Sequence, residues 1–113
     1  MLELAPPLAR FVPPAGVIDR QSYCAFGNGR LQTYLEEHRV DTLIFSGGET
    51  DVCVLASVLA AVDLGYRVIL AADALCSSAD ESHEAVLDLF TKRFDLQIEV
   101  AATKDILSLW QDP

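Results

Sequence analysis

Thr42-Leu-Ile-Phe-Ser-Gly-Gly-Glu-Thr-Asp-Val-Cys-Val54 holds the signal on which the fold turns. Its first half, residues 42–46, is a short apolar run of strand type. Two glycines end that run, and they open backbone conformations closed to other residues. Residues 50–64 have helical period and no loop separates them from the glycines, so a strand turns straight into a helix. Val52, Val54, Leu55, Val58, Leu59 and Val62 cover much of that helix's circumference, and only Asp63 carries charge beyond the first turn. The helix is therefore expected to be buried on several sides.

On either side of this stretch the same alternation repeats. Apolar, β-rich runs at 17–19, 67–72 and 97–101 join the run at 42–46, and segments of helical period at 29–38, 50–64, 80–94 and 103–110 lie between and after them. In the third helix Ala85, Val86, Leu89 and Phe90 form one apolar face, and Glu81, Glu84, Asp88 and Lys92 form the other. Strand and helix in turn, with short connections, predict a parallel sheet in a three-layer, Rossmann-like α/β domain. Four of the five prolines fall in residues 1–16, which predicts an extended lead-in. The domain proper is placed at 17–113.

In such a sheet ligands bind at the carboxyl ends of the strands. The residues expected there are Asp19 and Arg20, then 46–51, then 73–78. Thr50 has the residue type of an N-cap, which would put Cys53 in the first helical turn, among unpaired N–H groups and at the positive end of the helix dipole. A thiol so placed ionises more readily, and the thiolate is the nucleophilic form. The N–H groups beside it could hold an oxyanion. The alternative is that Cys53 simply packs, since free cysteine is among the most buried residue types. Packing is also the reading for Cys24 and Cys76, and solvated surface positions are the reading for His38 and His83.

Composition excludes several functions. The chain has 113 residues, 51% apolar, with 8 Lys+Arg against 17 Asp+Glu and a formal net charge of -9. The scattered basic residues give no phosphate-tracking patch, so no nucleic acid partner is expected. Apolar runs such as 58–62 and 68–72 stop after five residues at an aspartate, far short of the ~20 a membrane helix needs. No membrane partner and no signal peptide are expected. Three cysteines, odd in number and without metal-site or CxxC spacing, fit free thiols and a cytoplasmic location. Gly27-Asn-Gly29 has Gln32 where a dinucleotide fingerprint needs its third glycine. The turn at Gly47 lacks the lysine of a phosphate loop and carries Glu49 and Asp51, which repel phosphate. No cofactor or metal set emerges.

The sequence resembles the isochorismatase-like cysteine hydrolases, which include nicotinamidases, N-carbamoylsarcosine amidase and ureidoacrylate-type amidohydrolases. The likeness lies in Gly47-Gly-Glu-Thr-Asp-Val-Cys-Val-Leu-Ala56, in Ala61-Val-Asp-Leu-Gly-Tyr-Arg-Val68, in Asp73-Ala74 and in Tyr23-Cys-Ala-Phe26. It implies Cys53 as nucleophile, a cis peptide joining Gly48 to Glu49, and an oxyanion hole from the backbone N–H groups of Glu49 and Cys53. Cys53 also favours the amidase branch, because isochorismatase proper cleaves a vinyl ether without a cysteine nucleophile.

Two positions depart from the family pattern. The family's catalytic lysine falls at Arg20, which keeps the charge but cannot surrender a proton. The general-base aspartate belongs to an N-terminal strand that has no counterpart here, so the chain reads as N-terminally incomplete, with about four strands where six are expected. Asp19 and Asp73 are the carboxylates at strand ends, but nothing in the sequence brings either within reach of the thiol. The reaction implied is thioester-mediated hydrolysis of a small amide. The alternative is a non-catalytic remnant serving as an oligomerisation or binding module. Because unpaired strand edges and uncovered apolar faces invite association, a homo-oligomer is expected in either case.

Overall fold

The computed structural model describes residues 4–110. In chain order these form α1 (Pro6–Ala9), α2 (Arg30–Glu37), β1 (Thr42–Gly48), a π-helical turn (Thr50–Val54), α3 (Leu55–Asp63), β2 (Arg67–Cys76), α4 (Asp80–Arg93), β3 (Ile98–Ala101) and α5 (Thr103–Leu109). The three strands lie side by side in the order β1-β2-β3, and both pairings are parallel. Among the described residues no helix is long and apolar enough to cross a membrane.

Alternation along β2 sorts the layers. Val68 and Leu70 are fully buried against Val54, Val58 and Ala61 of the segment that carries Cys53 and Val86 and Phe90 of α4. Ile69 points to the opposite face, where with Ile44 and Ala101 it lines a groove closed by Ile106, Leu109 and Trp110 at α5. Three layers result: α3 and α4, the sheet, and α5. The first face is sealed and the second is thinly covered, with Leu109 82% and Trp110 64% exposed.

Several sequence expectations need correction. Residues 17–19 are not a strand, so among the described residues the sheet has three strands rather than four. A strand persists only where a neighbour takes its hydrogen bonds, and Val17, 47% exposed, has no strand paired with it among the described residues. The lead-in is not wholly extended. Leu8 and Ala9 donate to the Ala5 carbonyl, and Pro6 and Pro7 fit this first turn because their missing N–H groups would be unpaired there anyway. Residues 1–3 of that segment lie outside the described residues. On α4, Val86 and Phe90 are buried while Ala85 and Leu89 are exposed. The true apolar stripe runs through Val86, Leu87, Phe90 and Phe94.

β1 and β2 both run farther than their apolar cores suggest. Phe45 pairs with Leu70, but Gly47 pairs with Leu75. Over the intervening residues β2 leaves β1, and Ala71 pairs with Ala101 of β3. This excursion carries Asp73 to α5, where it accepts bonds from the Thr103 N–H (2.8 Å) and hydroxyl (2.7 Å). Those bonds, the hydroxyl's first, hold the Asp73 carboxyl below the usual carboxylate range.

Candidate active site

The carboxyl end of β1 makes the turn that carries Cys53. Gly47 adopts φ +93, where a side chain would be strained, and a Cβ on Gly48 would stand 3.0 Å from both the carbonyl oxygen and Sγ of Cys76. The pair of glycines is therefore required by backbone conformation at the first position and by close approach at the second. The Gly48–Glu49 peptide is cis.

The helix then opens more widely than an α-helix. Val54 N–H reaches back five residues to the Glu49 carbonyl at 3.1 Å, and Val52 N–H shares that acceptor at 3.2 Å. The Thr50–Val54 segment is thus a π-turn, a departure from α geometry that recurs at functional sites. Thr50 is not the side-chain cap the sequence suggested. Its side chain is fully buried, and its hydroxyl donates to the Cys76 carbonyl at 3.3 Å. The capping position passes to Glu49, which makes no side-chain cap bond. Cys53 stays in the first turn and is half-buried, neither sealed in the core nor free on the surface.

The loop after β2 clasps this turn. Ser77 Oγ donates to Asp51 at 2.6 Å. Ser78 gives Glu49 both its N–H, at 2.7 Å, and its hydroxyl. Each carboxyl is held below its ordinary range, Glu49 by the Ser78 hydroxyl and then the Ser78 N–H, Asp51 chiefly by the Ser77 hydroxyl. Hydrogen bonds that favour the ionised form are the cause in both cases. His83 completes the clasp, its Nδ1 lying 2.8 Å from Thr50 Oγ1. It is therefore not the solvated surface residue the sequence suggested. His38 does remain exposed, stacked on Tyr34.

The other flank is the segment around Tyr23-Cys-Ala-Phe26. Ala25 N–H donates to Ser57 Oγ at 2.9 Å. Ser57 lies one helical turn after Cys53, so this bond lays the segment along the side of the helix that carries Cys53. Arg20 is exposed, and its Nε donates to the Tyr23 carbonyl at 3.3 Å. Among the described residues no hydrogen bond or ion pair joins Cys53 to Arg20 or to a carboxylate. Asp73 is engaged at α5 instead, and Asp19 is exposed. The structure thus brings Gly48, Glu49 and Cys53 into one turn and gives Arg20 and the candidate bases no direct link to the thiol. A groove of about 710 Å³ lies between residues 16–18 and α2 and includes none of the turn.

Ser77 and Ser78 fall within the stretch 73–78 that the sequence places at the carboxyl edge of the sheet, though without an assigned role, whereas His83 was read as a surface residue and missed. The available signal was positional, since all three lie just beyond the carboxyl end of β2 or in the first turn of α4, at the edge where such sheets place ligands.

The family model for the Isochorismatase domain matches residues 2–102. The chain belongs to the isochorismatase family. It is 34% identical over 85 residues to the isochorismatase family protein YwoC of Bacillus subtilis, covering 70% of this chain and 45% of that one. It is 33% identical over 97 residues to maleamate amidohydrolase of Pseudomonas putida, covering 80% of this chain and 46% of that one. Among solved structures it superposes on the nicotinamidase of Staphylococcus aureus with a TM-score of 0.73 and 28% identity, covering 83% of this chain and 60% of that one. The chain spans about half the length of the curated relatives it matches.

Proposed function

We propose that this chain carries the nucleophilic half of a cysteine amidohydrolase site, acting on a small amide through a thioester. The observation that carries the reading is the placement of Cys53, half-exposed in a π-turn at the carboxyl edge of the sheet. The activities for which maleamate amidohydrolase and nicotinamidase are named support the substrate class. In this reading Cys53 Sγ attacks the amide carbonyl carbon, and the oxygen becomes an oxyanion that the Glu49 and Cys53 N–H groups receive. The C–N bond breaks, the amine leaves with a proton, and water then attacks the thioester to release the acid and restore the thiol. Arg20 enters as a fixed cation that favours the thiolate, because guanidinium is not a proton donor at neutral pH. Neither Asp19 nor Asp73 supplies the general base, so turnover by this chain alone is expected to be slow, by about 10² to 10⁴ relative to a site with its base in place.

The test is ammonia release from nicotinamide, maleamate and ureido-type amides, combined with intact-mass trapping of an acyl group. A hydroxylamine-labile adduct on Cys53, lost in Cys53→Ala, is the expected result. Turnover that survives Cys53→Ala sinks the reading.

One observation favours the second reading, a non-catalytic binding or oligomerisation module: Arg20 is turned toward Tyr23 and no carboxylate among the described residues is bonded to Cys53. Absence of any Cys53 adduct in a well-folded chain would select it. Self-association belongs to both readings, motivated by the thin cover over Ile44 (39% exposed) and Trp110. Sedimentation of the purified chain measures it, and a monomer at all concentrations counts against it.

A further inference from the structure

The Thr50 hydroxyl has a single proton. Cys76 contributes a carbonyl oxygen, which only accepts, so Thr50 donates in that bond. Toward His83 the same oxygen must then accept, which places a proton on Nδ1 of the imidazole. The result is a directed chain from the His83 Nδ1–H to the Thr50 hydroxyl to the Cys76 carbonyl, linking α4, the π-turn and the end of β2. Thr50 is fully buried at its centre. A buried bond of this kind is costly to leave half-made. Losing the His83 donor strands an acceptor inside the turn that presents Cys53, whereas the Ser77 and Ser78 contacts hold carboxylates that are only half-buried.

We infer that His83 is a positioning residue for the nucleophile turn, acting through the Thr50 hydroxyl to fix the orientation in which Cys53 is presented. It does not touch the reacting atoms. The inference rests on the reading of Cys53 as nucleophile for its functional meaning, but not for its measurement.

The experiment follows the rate of Cys53 alkylation by iodoacetamide in the intact chain, by peptide mass spectrometry, alongside urea unfolding. His83→Phe keeps the ring and removes the donor, and it should slow Cys53 alkylation roughly tenfold or more, since ångström-scale misplacement costs rates of that order. His83→Asn restores an N–H donor close to the position of Nδ1 and should recover most of the rate. In a Thr50→Val background the His83 substitutions should lose their effect, because the pair then acts as one unit. Equal rates in the Phe and Asn variants, whether both normal or both lost, would overturn the inference. If His83→Phe does not fold, Thr50→Val against Thr50→Ser carries the same contrast, with only the Ser variant expected to keep the rate. Should the donor pattern hold while amide turnover survives Cys53→Ala, the amidohydrolase reading fails and the positioning role stands.

Discussion

The two segments that flank Cys53 are held by different means. On one side, residues 77–83 meet the turn through side-chain bonds to Glu49, Thr50 and Asp51, and one of these is centred on a fully buried hydroxyl. On the other, the segment from Arg20 to Phe26 is tied by one backbone bond to Ser57 and by the Phe26–Tyr66 ring contact at 6.1 Å, and Tyr23 is 69% exposed. The first side sets the shape of the turn that carries Cys53. The second side is the more loosely held, and under the proposed function it is the side from which a small amide approaches.

This contrast can be broken from the rigid side first. Gly48→Ala is expected to have the largest effect, because its Cβ meets the Cys76 carbonyl oxygen, a backbone atom paired into the sheet, at 3.0 Å. A loss of about 1–3 kcal/mol in unfolding free energy, read from urea titration, is expected, as for other overpacked sites. Ser57→Ala comes next. It removes the acceptor of the Ala25 N–H from a position only 4% exposed, and should cost about 1 kcal/mol. Limited proteolysis should show that loss as faster cleavage near Tyr23, with the 77–83 side unchanged.

Acidification probes the clasp more gently. Glu49, Asp51 and Asp73 are all held below the ordinary carboxylate range when folded. The unfolded chain therefore binds more protons in acid, and stability falls as pH drops. The contribution is complete above the unfolded values, about 4, and is lost as pH falls through the lower folded ones. Urea midpoints measured down a pH series should show this slope, and Glu49→Gln with Asp51→Asn should flatten it. The smallest effect belongs to Arg20→Ala. Exposed and bonded only through Nε to a nearby carbonyl, it should shift stability within about 0.5 kcal/mol. A larger shift would show that the open side is more tightly built than its bonds indicate.

The sheet and its helices were legible from local pattern. The runs at 42–46, 67–72 and 97–101 became β1, β2 and β3, and the four longer helices fell close to their expected bounds, because apolar period is imposed by the buried face each element presents. The run at 17–19 failed because strand formation needs a partner, which three residues do not specify. Glycine spacing and Cys53 marked the turn that holds the candidate site. The polar clasp was not legible, since Glu49 and Ser78 are joined across 29 positions and His83 and Thr50 across 33.

Local sequence dictated the alternation of strand and helix, the two glycines before a helix, and a cysteine in that helix's first turn. These are short-range consequences of backbone freedom, side-chain period and residue type. Tertiary packing alone settled that Thr50 serves Cys76 and His83 rather than its own helix end, and that the turn opens in π geometry. It also drew Asp73 away to α5. Each of these outcomes depends on which donor and acceptor two separate strands bring together, and a buried hydroxyl or carboxylate takes the partner that packing delivers rather than the one nearest in sequence.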